Sequence, residues 1–195
     1  YKMTRYALFV RGSNVGGKNK VVMAQLRQEL TELGLEKVET YINSGNIFFT
    51  STDPKARLVE KLEAFFTVHY PFIQSFSLLS QEDYEEELNN LPDWWTQDLA
   101  RKDVLFYTES LDVDQVIEKV NSLELKDEVV HFGKHGIFWG KFSEESYYAT
   151  AYHKHLLKMP FYRNITIRNA NTFDKIGQFL KHKKEIDNDI ISKNQ

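Results

Sequence analysis

The chain alternates short apolar runs with stretches whose apolar residues recur at helical spacing. Thr4–Val10, with the run Ala7-Leu8-Phe9-Val10, predicts a strand. Met23, Leu26, Leu30 and Leu33 then predict a helix, with Gly34 as its C-cap. Val38–Ile42 and Ile47–Ser51 predict two strands joined by a tight turn at Asn43-Ser44-Gly45-Asn46, where Gly45 can take positive φ. Asp53-Pro54 predicts a helix start, with Asp53 as N-cap and Pro54 as the first helical residue. Leu58, Leu62, Phe65, Phe66 and His69 are assigned to that helix's inner face. Phe72–Leu79 predicts a fourth strand, and Ser80-Gln81-Glu82-Asp83 a capping box opening a short helix, Gln81–Asn90.

Leu91–Asp98 has no period and reads as a connection. Trp94 and Trp95 within it are expected to cover a core edge, since large aromatics are mostly buried. The order then repeats. Asp103–Thr108 predicts a strand, and Val113, Val116, Ile117 and Val120 a helix. Glu128–Phe132 and Gly136–Phe142 predict a hairpin around Gly133-Lys134-His135. Ser143 is expected to cap a helix running to about Lys158, ended by Pro160. Asn164–Arg168 predicts a strand, and Phe173, Ile176 and Leu180 a last helix.

Both halves read strand, helix, strand, strand, helix, strand, helix. The expected fold class is α+β: two tandem ferredoxin-like repeats, each βαββαβ plus a C-terminal helix, with antiparallel sheets. The first repeat is assigned to residues 1–92 and the second to 93–195. The repeat is one of pattern, because the residues of the halves do not visibly align. In this topology strand one pairs with strand three, and strand two lies on the far side of three. Val10, Ile42 and Ile47 then share one sheet edge, and the Arg11–Lys20 loop neighbours the Asn43–Asn46 turn. The second half has only Glu109-Ser110-Leu111-Asp112 where the first has its long basic loop. The loop is an addition to a scaffold that closes without it.

Composition narrows the class. Hydrophobic residues are 42% of the chain, so a packed core is expected rather than disorder. Cysteine is absent, which excludes disulfides and a thiol nucleophile and suits a reducing cytoplasm. No apolar run approaches the ~18 residues of a membrane span, and no secretory leader is expected. The net charge of -3 matters less than its distribution. Residues 1–28 carry Lys2, Arg5, Arg11, Lys18, Lys20 and Arg27 and no acid. Residues 146–173 carry Lys154, Lys158, Arg163 and Arg168, again with no acid. If the two windows meet in space they form a basic face on an acidic protein.

The candidate chemistry centres on Arg11-Gly12-Ser13-Asn14-Val15-Gly16-Gly17-Lys18-Asn19-Lys20. It approaches the phosphate-loop pattern G-x-x-x-x-G-K-[ST], in which backbone amides cradle phosphate and Lys supplies a point charge. Asn19 stands where Ser or Thr would bind magnesium, the helix begins late, and the halves are not a parallel doubly wound sheet. The pattern therefore points to anion binding rather than nucleotide hydrolysis. His153 and His155 are two apart and face different ways on a helix; His131 and His135 flank a hairpin. His131 and His135 could meet across the hairpin, but no metal site is expected, and no nucleophile elbow or triad is visible. The reaction, any cofactor and the oligomeric state are not encoded legibly.

Three segments together resemble the bacterial domain-of-unknown-function 1697 family: Arg11–Asn19, Tyr41-Ile42-Asn43-Ser44-Gly45-Asn46-Ile47-Phe48-Phe49, and Thr166-Ile167-Arg168-Asn169-Ala170-Asn171-Thr172. The likeness runs in matching order along nearly the whole chain. It implies a duplicated ferredoxin-like protein with no assigned activity. The family usually has an aliphatic residue at Ser13, Gln at Asn43 and Trp at Ala170. The last departure removes an aromatic wall beside Arg168 and Asn171.

The expected ligand-binding set is Arg11, Asn14, Gly16, Gly17, Lys18, Lys20, Asn43, Ser44, Asn46, Arg168, Asn169 and Asn171. Arg forks and Asn amides suit planar or anionic groups. The ordinary alternatives are turn hydrogen bonds for Asn43 and Asn46 and helix capping for Asn169 or Asn171. The leading reading is a small anionic or phosphorylated ligand. One alternative is a single-stranded nucleic-acid module stacking bases on Tyr41, Phe48, Phe106 and Phe132, although the aromatic-basic signature of such sheets is missing. The other is a protein-interaction module using Trp94-Trp95 or a sheet edge.

Overall fold

The structure is a computed structural model that describes residues 2–13 and 20–193; at residues 43–44 and 182–193 it describes the backbone alone. The first half contains β1 (Thr4–Arg11), α1 (Met23–Glu32), β2 (Glu36–Tyr41), β3 (Asn43–Ser51), α2 (Lys55–His69), β4 (Ser75–Ser80) and α3 (Gln81–Leu88). The second contains β5 (Arg101–Tyr107), α4 (Val113–Asn121), β6 (Glu128–Phe132), β7 (Gly136–Lys141), α5 (Ala151–His155), β8 (Ile165–Asn169) and α6 (Ala170–Lys193). The strands form two four-stranded sheets, ordered β2-β3-β1-β4 and β6-β7-β5-β8. Every pairing is antiparallel, with Leu8 opposite Ile47 in one sheet and Leu105 opposite Ile137 in the other. Two tandem ferredoxin-like repeats account for this arrangement.

Side-chain alternation along a strand sends successive residues to opposite faces, and in both sheets both faces are buried. Tyr6, Leu8 and Val10 pack with Leu26 and Leu30 of α1 and Leu58, Leu62 and Phe66 of α2. Leu105, Ile137 and Trp139 pack with Val116 and Val120 of α4 and with Ala151 and Leu156. The remaining faces meet each other: Ala7, Phe9 and Phe48 share a core with Val104, Phe106 and Phe138. Phe9 and Phe106 stack at 4.8 Å between ring centroids. Tyr84 of α3 and Phe173, Ile176 and Leu180 of α6 complete this central layer. Each half's last helix thereby leaves its own helical layer and joins the seam. Trp95 is buried in the same layer and Trp94 packs against it, as core-edge cover.

Local signals account for most boundaries. Gly34 takes φ +106 and closes a Schellman motif, its amide donating to Thr31 O and that of Leu35 to Leu30 O. The Ser80–Asp83 capping box opens α3 with both reciprocal bonds at 3.0 Å. Four expectations need correction. Asn43–Asn46 is not the tight turn; it begins β3, because Ile42 at φ 66 supplies the left-handed residue that Gly45 does not. Pro54, not Asp53, precedes α2, and the Asp53 carboxylate instead accepts from Lys61 at 2.6 Å. His69 lies on the exposed side of α2, beside Glu29. The helix expected from Ser143 is broken into 3-10 turns and the short α5. Its start is fixed by the buried Glu128 carboxylate, which accepts from Ala151 N, Tyr152 N and Trp139 Nε1 at 2.7, 3.1 and 2.8 Å. Ser143 Oγ meanwhile donates to Asp127.

Glu87 of α3 reaches across the seam and accepts from His135 N in the β6–β7 turn at 2.8 Å. Burial pushes its carboxyl up from the ordinary value, and the His135 amide pulls the other way. A carboxyl raised in the folded state binds its proton more tightly there, so stability falls as pH rises from the usual carboxylate range through the raised value. Glu87→Gln is expected to flatten that part of a stability–pH curve. The shared central core is expected to make both halves unfold in one transition. Phe106→Ala should cost about 3–5 kcal/mol in denaturant titrations while keeping a single transition; two separable transitions would contradict the shared core.

Candidate functional site

The candidate site lies at the sheet edge where β1 ends. Gly12 takes φ +106 there, and a Cβ on it would lie 2.7 Å from Phe72 O, so only glycine fits as the chain leaves the strand. Arg11 O accepts from Gln74 N at 2.8 Å, which fixes the base of the loop. Asn14, Gly16, Gly17 and Lys18 lie outside the described residues, and Lys20 is exposed at the loop's return.

The two acid-free windows of the sequence meet at this edge. The Arg11 guanidinium lies 4.4 Å from the Tyr162 ring centroid and donates from Nε to Gln74 Oε1 at 3.2 Å and from Nη1 to Ile165 O at 3.4 Å. Arg168 comes from β8 and reaches across to the first sheet. Its Nε donates to Asn46 Oδ1 at 2.6 Å, Nη1 to Ile167 O at 2.8 Å, and Nη2 to Gly45 O at 2.7 Å and Val10 O at 3.1 Å. Its guanidinium carbon stands 5.2 Å from the Phe9 ring centroid. All three nitrogens therefore end on neutral acceptors. Burial, with Arg11 adding to it, lowers the Arg168 guanidinium to about 10, still cationic at neutral pH. Two guanidiniums thus share the edge, and among the described residues no carboxylate pairs with either.

Arg168 is a strut before it is anything else. It ties the ends of β1 and β3 to the second sheet. Asn46 is buried; its Oδ1 accepts from Arg168 and its Nδ2 donates to Tyr41 O at 3.2 Å, closing the β2–β3 connection. Asn43 and Ser44 continue the backbone of β3, and their side chains lie outside the described residues. Ile42 is β-branched at φ 66 and exposed, a conformation that stores about 1–3 kcal/mol. Asn169 Oδ1 caps α6 by accepting from Thr172 N at 2.9 Å. Asn169 and Asn171 line a separate crevice of about 590 Å³ with Arg101, Tyr147 and Tyr152. Gln74 and Tyr162, which frame Arg11, had no motif to mark them. They come from other segments and arrive only through the fold.

Of the four aromatics considered for base stacking, Phe132 is half-buried against the second repeat's helical core. Phe48 and Phe106 are buried between the sheets, and Tyr41 packs on Phe179 at 5.0 Å. Among the described residues no group of three or more His, Asp or Glu side chains is placed to hold a metal, and no helix is long and apolar enough to cross a membrane.

The strut assignment gives a direct test. Arg168→Met leaves three carbonyls and the Asn46 amide oxygen without this donor and is expected to be clearly destabilising, by about 1–3 kcal/mol for each buried acceptor left unsatisfied. Arg11→Gln, at a half-exposed position, is expected to change stability by less than about 1 kcal/mol. Equal effects in denaturant titrations would remove the distinction.

The fold is also that of a solved structure. The conserved bacterial protein SP0830 from Streptococcus pneumoniae is 82% identical over 92% of this chain and 100% of that one, with a TM-score of 0.90. A comparison with curated proteins gave no match. A family model described as protein of unknown function (DUF1697) matches residues 3–138, more than half of the chain. With its motif segments Arg11–Asn19 and Tyr41–Phe49 inside that span, and its fold shared with a conserved bacterial protein, the chain belongs to the DUF1697 family.

Proposed function

We propose that this protein binds a small phosphorylated or otherwise anionic ligand at the edge formed by Arg11, the loop to Lys20 and the end of β3. One observation carries the reading: two adjacent guanidiniums, Arg11 and Arg168, face only neutral acceptors. Like charges held together in a partly desolvated place raise the energy of the folded chain, and an anion between or above them lowers it. Arg5 on the same strand gives the contrast. It is buried, where Arg11 and Arg168 are half-buried, and its Nη2 stands 3.3 Å from the Glu39 carboxylate. Among the described residues, a carboxylate answers the Arg5 charge and none stands beside Arg168.

The roles divide by geometry. Arg11 is the ligand-contacting cation: its Nη2 makes no hydrogen bond among the described residues, and Tyr162 holds its plane. Arg168 supplies field from behind and keeps the strand ends in register. Asn46 positions Arg168 rather than the ligand. The amides of Gly16 and Gly17, the Asn14 side chain and Lys18 enter the reading from the sequence alone, as donors suited to phosphate oxygens. Around Arg11 the described residues provide no paired carboxylates for acid–base work, so the reading is one of binding.

Inorganic phosphate and pyrophosphate are expected to raise the thermal midpoint of the wild-type chain, with a gain of about 2.7 kcal/mol when the ligand is at a hundred times its Kd. Arg11→Gln should abolish the shift, whereas Lys2→Gln, a remote exposed cation, should keep it. A flat response to both anions, or an Arg11→Gln response equal to wild type, refutes the reading.

A further inference from the structure

Asn169 and Asn171, which the sequence singles out, take no part in the Arg11 edge. They border the crevice of about 590 Å³ at the C-terminal end of β8. The start of β5, the turns that carry Tyr147 and Tyr152, and the first residues of α6 enclose it. Sequence spacing predicts one continuous helix from Ser143 to about Lys158 over this half. The chain instead makes 3-10 turns and the five-residue α5, whereas the corresponding α2 of the first repeat has 15 residues. The crevice opens beside this broken segment. Its volume lies within the roughly 300–1,000 Å³ of small-molecule sites.

The lining is built in pairs. Asn169 of β8 stands directly opposite Asp103 of β5. Residues so placed in antiparallel strands have Cβ atoms about 4.5–5.5 Å apart, which sets a carboxylate and an amide side by side. Asp103 Oδ2 accepts from Lys141 Nζ at 2.5 Å; Lys141 is fully buried, and its Nζ lies 3.2 Å from the Tyr152 ring centroid. The Asp103 side chain keeps 19% of its surface, and its Oδ1 accepts no hydrogen bond among the described residues. Asn169 uses Oδ1 on Thr172 N and leaves Nδ2 unused. The Asn171 amide and Tyr152 Oη have no partner among the described residues. Neither Asp103 Oδ1 nor Tyr152 Oη is sealed from solvent, and both asparagines are exposed.

The charges at the crevice cancel. Glu144 holds Arg101 through two hydrogen bonds of 2.9 and 3.0 Å, and the guanidinium carbon stands 3.6 Å from the Tyr147 ring centroid. Lys141 answers Asp103, and Asp98 and Lys102 add one charge of each sign. The lining therefore favours neither an anion nor a cation. It offers unused donors and acceptors next to one another. A phosphate needs donors only and a hydrocarbon needs neither, but each hydroxyl of a vicinal diol both donates and accepts. We infer that this crevice is a second binding site, for a neutral saccharide, with one ring hydroxyl donating to Asp103 Oδ1 and its neighbour accepting from Asn169 Nδ2. Tyr152 Oη and the Asn171 amide bind further hydroxyls. The site is separate from the Arg11 edge, takes a different class of ligand and does not depend on the anion reading.

The test uses the full chain and saturation-transfer NMR, which reads weak sugar binding directly. The probes are glucose, galactose, mannose, N-acetylglucosamine and ribose. Cyclohexanol, which keeps a ring and one hydroxyl but lacks the diol, is the control. At least one sugar is expected to give saturable transfer, and cyclohexanol none. Tyr152→Phe keeps the ring beside Lys141 and deletes only the hydroxyl; Asn171→Ala removes an exposed amide without a partner. Both variants are expected to keep wild-type stability and to weaken the sugar's apparent affinity about two- to tenfold, the loss of one neutral hydrogen bond. Arg11→Gln should keep the sugar signal, and Asn171→Ala should keep the phosphate response, so failure of one site is distinguishable from failure of the other. The inference is overturned if no sugar gives transfer, if cyclohexanol acts equally, or if either variant binds the sugar as wild type does. A ligand-free Tyr152→Phe chain that is clearly less stable than wild type also overturns it, since the hydroxyl would then be engaged within the protein.

Discussion

Everything in this molecule is arranged around the contact of one sheet with the other. A ferredoxin-like sheet covers one face with its own two helices and leaves the second face open. Here that second face is apolar in both halves: Ala7, Phe9 and Phe48 on one side, Val104, Phe106 and Phe138 on the other. Neither face is stable in water, and each is the cover for the other. α3 and α6 close the sides of the layer through Tyr84 and Phe173, whose rings lie 5.1 Å apart. The aromatic sheet surface that some relatives of this topology use to stack bases is therefore interior.

The seam dictates where charge can sit. Each long cation that borders it extends along the layer and finds backbone carbonyls at the strand ends. Arg5 donates to Lys37 O and Phe179 O, which anchors α6 to the first sheet. Arg168 does the same at the opposite end with Val10 O and Gly45 O. The two struts differ in compensation, since Glu39 stands by Arg5 while Arg168 has Arg11 for its charged neighbour. Carbonyl dipoles satisfy the hydrogen bonds of a buried guanidinium without cancelling its field. That remaining field is the physical basis of the anion reading.

The two topologically equivalent edges differ in chemistry. In the first half, the edge opens outward into a basic loop, held by Gly12 and next to the strained Ile42. In the second half, the short Glu109–Asp112 connection leaves a crevice bordered by β4 and the start of α2. One scaffold thus carries a cationic rim in one half and a short connection with no basic residue at the matching position of the other.

The order and type of nearly every element were legible in the chain, because period-two and helical spacing reflect burial that each segment must achieve for itself. The Schellman closure at Gly34 and the capping box at Ser80 were legible for the same reason: both are satisfied within a few residues. The run Ala7-Leu8-Phe9-Val10, with no polar alternation, carried a trace of burial on both faces, but nothing in it named the covering partner. The turn at Ile42 was misread because a β-branched residue at positive φ is locally unfavourable and persists only where tertiary contacts such as those of Asn46 and Arg168 impose it. The candidate residues Arg11, Asn46 and Arg168 were visible as polar motifs, yet their division into a ligand-facing cation, a positioning amide and a strut was not. That division depends on which carbonyls lie within reach of each guanidinium, and those carbonyls belong to strands far apart in sequence. Composition and spacing determined what the chain contains and how its pieces fold locally; the meeting of the two sheets alone decided which charges are answered and which are left facing outward.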